Sequence, residues 1–279
     1  MSYSDYQTLK VRIDCGVAYV TIDHPPINLF DMTLIGEMDA LGRTLESDDE
    51  IKVVVFDSAD PDFFIAHADV ELIEMLPTDA SEKPSEPSLF QTMVDRFRTM
   101  PKATIAKIEG ITRGGGSEFC LSLDMRFAAA GKAVFAQPEV ALGIIPGGSA
   151  TQRLPRLVGR GRALEIILGC DDFSAELAAQ YGYINRALPP EELGPFVDKL
   201  AKRIASFPAA SIALAKQAAA AAESDPTAGL IEEAHAFNKT LSVDETRTRL
   251  RLFMENGGQT RELETQTSAF DEVLSNFPK

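Results

Sequence analysis

Three successive glycines running straight into a helix start leave a chain few local folds, and the segment Ile111-Thr112-Arg113-Gly114-Gly115-Gly116-Ser117-Glu118-Phe119 has that form. Glycines in this position let a backbone N–H approach a ligand closely, while the helix N-terminus adds positive potential. A carbonyl oxygen that turns negative during reaction could be held there, with the Glu118 carboxyl in the first turn placed to move protons. The same triplet also suits a tight turn where helix and strand pack closely. Taken alone, the segment does not choose between the two.

The surrounding pattern alternates strand and helix. Leu9 to Ile13 and Val17 to Ile22 flank Asp14-Cys15-Gly16 and read as a hairpin. Asp31 to Glu46 spaces Leu34, Met38, Leu41 and Leu45 at helical intervals, and Val53 to Phe56 reads as a buried strand. The order returns with Ala103 to Ile108 as strand, Ser117 to Leu123 as helix and Met125 to Ala130 as strand, which predicts a layered α/β core. Pro77 to Ser88 is polar, proline-rich and without periodicity, and reads as a surface loop. Beyond Pro189-Pro190 the composition shifts to alanine-rich helices at Glu191 to Ser206 and Ala209 to Ala222, so a domain boundary is expected near residue 190. Helices rich in small residues often pack against a second subunit, and an oligomer is expected.

Lys plus Arg number 27 against 42 Asp plus Glu, a formal net charge of −15, which opposes nucleic-acid binding. No apolar stretch is long enough to span a bilayer, the start Met1-Ser2-Tyr3-Ser4-Asp5 lacks the features of a secretion signal, and the cytoplasm is the expected compartment. Cys15, Cys120 and Cys170 are scattered without paired spacing, suggesting neither disulfides nor a zinc site. Phosphate-binding lysine loops, nucleophile elbows and His-Glu-x-x-His metal motifs are absent from the sequence. Glu232 and His235 make one Glu-x-x-His pair, which reads as a solvated helix face because a di-metal bundle needs two such pairs.

Two further segments join the glycine triplet: Phe63-Phe64-Ile65-Ala66-His67-Ala68-Asp69-Val70, and Gln137-Pro138-Glu139 with the following Gly143 to Leu154. Together, and with Gly159 to Ala163 and Tyr181 to Arg186, they resemble the crotonase, or enoyl-CoA hydratase/isomerase, superfamily from near the start of the chain through Leu188. The resemblance implies a spiral of repeated ββα units carrying an acyl-CoA site over residues 1–190, and a helical trimerisation region over 191–279, assembled as a homotrimer or a dimer of trimers. It also implies an acyl-CoA substrate held with its thioester oxygen between two backbone N–H groups, at positions matching Ala66 and Gly115, with His67, Ala68, Asp69 and Gly114 beside it. Glu118 and Glu139 match the family's catalytic pair, Glu118 to hold the water and Glu139 to handle the α-proton.

The expected reaction is therefore addition of water to a 2-enoyl-CoA in fatty acid metabolism, with no metal and no cofactor beyond the coenzyme A of the substrate. Isomerisation, thioester hydrolysis, decarboxylation or ring opening would share the enolate, and a non-catalytic acyl-CoA-binding protein is the alternative of a different class. Three departures bear on specificity. His67 stands where the family usually has glycine, Ala150 replaces a frequent glycine, and the tail from Val243 to Lys279 lacks the family's common ending, so no lysine is assigned to the CoA phosphates.

Overall fold

The computed structural model describes residues 3–77, 82–223 and 227–275. Strands β1 (Leu9–Asp14) and β2 (Val17–Ile22) form the expected antiparallel hairpin, in register from Leu9 opposite Ile22 to Asp14 opposite Val17. Cys15 and Gly16 make its two-residue turn, both at positive φ (52° and 75°), the conformation whose twist suits the flanking strands. In helix α1 (Met32–Ser47) the Asp31 carboxylate caps the first turn, accepting from the Leu34 N–H at 2.9 Å, and Leu34, Met38, Leu41 and Leu45 are buried as their spacing requires.

There follow β3 (Val53–Ser58), β4 (Phe63–Ile65), α2 (Val70–Glu74), α3 (Leu89–Thr99), β5 (Ala103–Ile108), β6 (Ile111–Arg113), α4 (Gly114–Leu121), β7 (Met125–Ala129) and β8 (Val134–Ala136). Next come α5 (Ala150–Val158), α6 (Arg160–Gly169), β9 (Phe173–Ser174), α7 (Ala175–Tyr181) and β10 (Arg186–Leu188). The remainder is helical: α8 (Pro190–Ala205), α9 (Ala209–Ala220), α10 (Thr227–Leu241), α11 (Asp244–Glu255), α12 (Arg261–Glu264) and α13 (Thr267–Ser275). Of the polar stretch Pro77 to Ser88, residues 78–81 lie outside the described residues, and Ser88 ends it by forming a capping box with Gln91 at the start of α3.

Successive strands go to different sheets. β3, β5 and β7 enter a six-stranded sheet ordered β1-β2-β3-β5-β7-β10, while β4, β6 and β8 enter a four-stranded sheet ordered β4-β6-β8-β9. Each turn of chain thus adds one strand to each sheet, the spiral of ββα units that the sequence implies. All pairings are parallel except β1 with β2 and β8 with β9. The continuous apolar run of β3 is explained by burial on both faces: Val54 and Phe56 point into the main core, Val53 and Val55 into a second layer under α8.

That second layer changes the meaning of the composition shift at residue 190. Leu193, Val197, Ala201 and Ala205 of α8 pack on Val17, Val53, Val55, Ala103, Ile105 and Phe127, so α8 is the outer cover of the large sheet. Leu250, Phe253, Leu263 and Phe270 from α11 to α13 pack with Val70, Leu142 and Ile144 of the preceding region. The described residues after 190 therefore share two cores with those before it, and the boundary marks a change of element type. Leu193→Ala should cost about 2–5 kcal/mol and lower the melting temperature of one cooperative transition, by calorimetry. A separate early transition confined to the helices would contradict the shared core.

Candidate active site

Side-by-side parallel pairing of β4, β6 and β8 ends three strands at one place, and a site segment leaves each of them. From β4 the chain runs through Ala66, His67 and Ala68, from β6 directly into Gly114 and Gly115, and from β8 to Gln137 and Glu139. The glycine triplet is itself the first turn of α4, which starts at Gly114, three residues earlier than the side-chain pattern predicts. Close packing outweighs the poor helix propensity of glycine here. Gly114 sits at φ +46° with its Cα hydrogens toward Glu139 and His67, and a β-carbon on Gly116 would overlap the Ile65 carbonyl oxygen.

The backbone N–H groups left free here are not both of the pair that the resemblance implies. Ala66 already gives its N–H to the Ile27 carbonyl at 3.2 Å, and its carbonyl accepts from the Arg113 N–H at 3.0 Å, so Ala66 is a sheet-edge residue with no donor to spare. Ala68 takes its place. Its N–H meets no protein acceptor among the described residues, it faces Gly115 so closely that a β-carbon there would lie 3.4 Å from the Ala68 nitrogen, and both residues line one cavity. The carbonyl of the same amide, that of His67, accepts from the Phe30 N–H at 3.0 Å, which polarises the amide and strengthens Ala68 as a donor. The Gly115 N–H belongs to the first turn of α4, where no intrahelical acceptor exists.

Asp69 also departs from expectation. Its carboxylate caps α2, accepting from the Glu71 N–H and from Gln259 Nε2, each at 3.0 Å, and it is not among the cavity residues. The cavity is lined by His67, Ala68, Gly114, Gly115, Pro138 and Glu139 on one side and closed by Leu142, Ile144, Phe253 and Phe270. Its volume is about 30 Å³, a narrow space between these two sets of residues. A larger cleft of about 710 Å³ lies under α9 near the starts of β5 and β7 and holds none of the groups described here.

Glu118 and Glu139 are both buried. Glu118 Oε1 accepts from the Gly148 N–H at 2.8 Å and the Ala150 N–H at 2.9 Å, so Ala150 begins α5 as part of a carboxylate holder. Burial lifts the Glu118 pKa to about 7 in spite of those bonds. Glu139 is pushed well above the ordinary carboxyl range, by burial first and then by the negative charge of Glu118. Gln137, its amide oxygen accepting from Ser117 Oγ at 2.8 Å, presents its nitrogen to both Glu139 oxygens at 3.1 Å and so fixes that side chain.

A third buried acid, Glu233 of α10, stands next to this pair. It accepts from Gln91 Nε2 at 3.1 Å, from the Thr151 N–H at 2.9 Å and from the Thr151 hydroxyl, and burial with the charge of Glu118 raises it to about 8. Glu232, read from the sequence as part of a solvated helix face, is exposed and pairs with Lys83, while the sequence analysis does not single out Glu233. A signal existed: Leu230, Glu233, Ala234 and Leu241 recur at helical spacing, which places Glu233 on the buried face.

His67 lines the cavity. It is buried, with Nδ1 2.8 Å from the Ala68 carbonyl oxygen and Nε2 3.0 Å from Glu264 Oε1. Both ring nitrogens therefore face acceptors and the ring carries two protons. Burial alone would lower its pKa, but the Glu264 charge and these bonds raise it.

The sign of the pH effect follows for Glu233. Its folded value of about 8 lies above the unfolded 4.5, so its stabilising contribution is complete below pH 4.5 and lost as pH rises through about 8. Glu233→Gln should shrink the loss of stability between about pH 5 and about pH 9 by on the order of 1–2 kcal/mol, measured as urea midpoints. A loss equal to that of the wild type would remove Glu233 as its source.

The chain has relatives among known proteins. A sequence profile described as enoyl-CoA hydratase/isomerase matches residues 12–261. The chain is 33% identical over 241 residues to a short-chain-enoyl-CoA hydratase of Clostridium acetobutylicum, covering 86% of this chain and 91% of that protein. It is 31% identical over 252 residues to a crotonyl-CoA hydratase of Syntrophomonas wolfei, covering 90% and 96%. Among solved structures, a provisionally assigned enoyl-CoA hydratase from Streptomyces avermitilis superposes with a TM-score of 0.89 at 40% identity, covering 97% of this chain and all of that one.

Proposed function

The chain belongs to the enoyl-CoA hydratase/isomerase family, and on that premise we propose that it adds water to a short 2-enoyl-CoA. The observation that carries this reading is the pairing of two free backbone donors, Ala68 and Gly115, with two buried carboxyl groups of unequal acidity beside them. The substrate thioester oxygen lies between the two N–H groups, which bind it most strongly once it is an enolate oxygen. Glu118, nearer neutrality, takes a proton from water as the water oxygen bonds to the β-carbon and the double-bond electrons move toward the thioester oxygen. Glu139, held protonated by burial and by Glu118, gives its proton to the α-carbon as the enolate collapses. One proton has left water and one has reached carbon, and transfer between the two acids restores the starting state.

The apolar closure by Leu142, Ile144, Phe253 and Phe270 supports a short acyl chain. No helix among the described residues is long and apolar enough to cross a membrane, and the cysteines are free, which supports action in the cytoplasm. Helix α9 buries none of its own residues and exposes Leu214, as α6 exposes Leu168, which supports assembly as a trimer or a dimer of trimers.

Glu118→Gln and Glu139→Gln should each slow hydration of crotonyl-CoA by about 10²-fold or more, followed as loss of the conjugated enoyl absorbance. The wild-type rate should rise as pH passes about 7, where Glu118 ionises, and fall at higher pH as Glu139 loses its proton, the two apparent values belonging to the coupled pair. Full activity in both variants would reject these roles.

A further inference from the structure

We infer that Glu264 is a positioning residue that sets the spacing of the two oxyanion donors by holding the chain segment beside each of them. This rests on the proposed donor pair, Ala68 and Gly115. The Glu264 side chain is fully buried on α12, far along the chain from both donors. Its Oε1 lies 3.0 Å from Nε2 of His67, the residue before Ala68, and its Oε2 lies 3.1 Å from Nη1 of Arg113, two residues before Gly115. The grip is tightened at both ends. His67 Nδ1 is tied to the Ala68 carbonyl at 2.8 Å, and Arg113 Nη1 also donates to the Glu264 backbone carbonyl at 3.1 Å.

Charge makes the holder stiff. The doubly protonated His67 and the guanidinium of Arg113 flank one carboxylate, and Asp172 takes the other edge of Arg113 with bonds of 2.7 and 2.5 Å. Two cations thus meet two anions in a buried site, where removing one partner leaves an uncompensated charge. Burial alone would raise the Glu264 pKa, but His67 and Arg113 lower it. The Gln259 N–H adds a bond to Oε1 at 2.9 Å, and the Phe270 ring, which closes the cavity, lies 3.9 Å from the Arg113 guanidinium carbon. The same C-terminal segment therefore walls the cavity and spaces its donors. Glu264 is absent from the cavity lining, so it acts through the donors.

The test uses the full chain and Glu264→Gln, which keeps shape and removes charge. Catalysis at such a hole depends on donors placed within a few tenths of an ångström, so kcat for crotonyl-CoA should fall about 10²-fold while KM and the Kd for butyryl-CoA stay within about threefold. Acetoacetyl-CoA, which the wild type should bind as its ultraviolet-absorbing enolate, should show that band weakened in E264Q. Arg261→Ala is the comparison: it removes a second anchor of α12, to Asp60, Asp62 and the Pro26 carbonyl, without touching His67 or Arg113. It should keep kcat within about twofold, as expected when the donors stay in place. Equal losses in both variants, or an unchanged kcat in E264Q, would overturn the inference. If E264Q does not fold, His67→Ala cuts the arm to Ala68 and must show the same split between kcat and ground-state binding. A wild type that hydrates no enoyl-CoA would defeat the hydratase reading alone, because the enolate band and its loss in E264Q still decide the role of Glu264. A wild type without the band would defeat the inference.

Discussion

Parallel pairing of three short strands, β4, β6 and β8, is the constraint on which the rest of this protein depends. Parallel neighbours end at the same side of a sheet, so the residues that follow them are brought together whatever their distance in sequence. Ala68, Gly115 and Glu139 each lie within three residues of such an end. The close approach has a steric condition, met at Gly114 by positive φ and at Gly116 by the missing β-carbon against Ile65.

Burial then supplies the chemistry. Glu118, Glu139 and Glu233 are buried together, and the cost of ionising there raises all three, Glu118 being held back by backbone N–H groups and by the charge of Arg153. Backbone N–H groups at the start of α5 moderate two of them, Glu118 through Gly148 and Ala150 and Glu233 through Thr151. On the other side of the cavity the logic is reversed. Glu264 raises the proton affinity of His67, and Glu264 and Asp172 pair with the Arg113 guanidinium, so positive groups stand near the donors and neutralisable acids stand near the proposed water.

The C-terminal helices connect these two halves. In sequence they look like an appendage, because alanine-rich composition contrasts with the mixed core. In the fold, α8 covers the large sheet, while Phe253 of α11 and Phe270 of α13 line the cavity and α12 places Glu264 between the donor segments.

Local chemistry alone determined a good deal: the hairpin at Cys15-Gly16, the amphipathic α1, the buried β3 and the glycine-rich helix start, because each depends on residues close in sequence, whereas the pairing of Glu118 with Glu139 is legible only through the family resemblance. What only the tertiary structure decided concerns groups whose partners lie far away. Ala66 and Ala68 are the same residue type two positions apart, and only the Ile27 carbonyl, which consumes one N–H, distinguishes them. Asp69 has the composition of a ligand contact but is a helix cap braced by Gln259. Glu264 carries no periodic signal in its four-residue helix, and its meaning comes from His67 and Arg113, which stand 197 and 151 residues earlier. Sequence specifies which groups a segment can offer; whether a donor is spent, an acid is dry or a carboxylate is paired is a matter of what the fold sets against it.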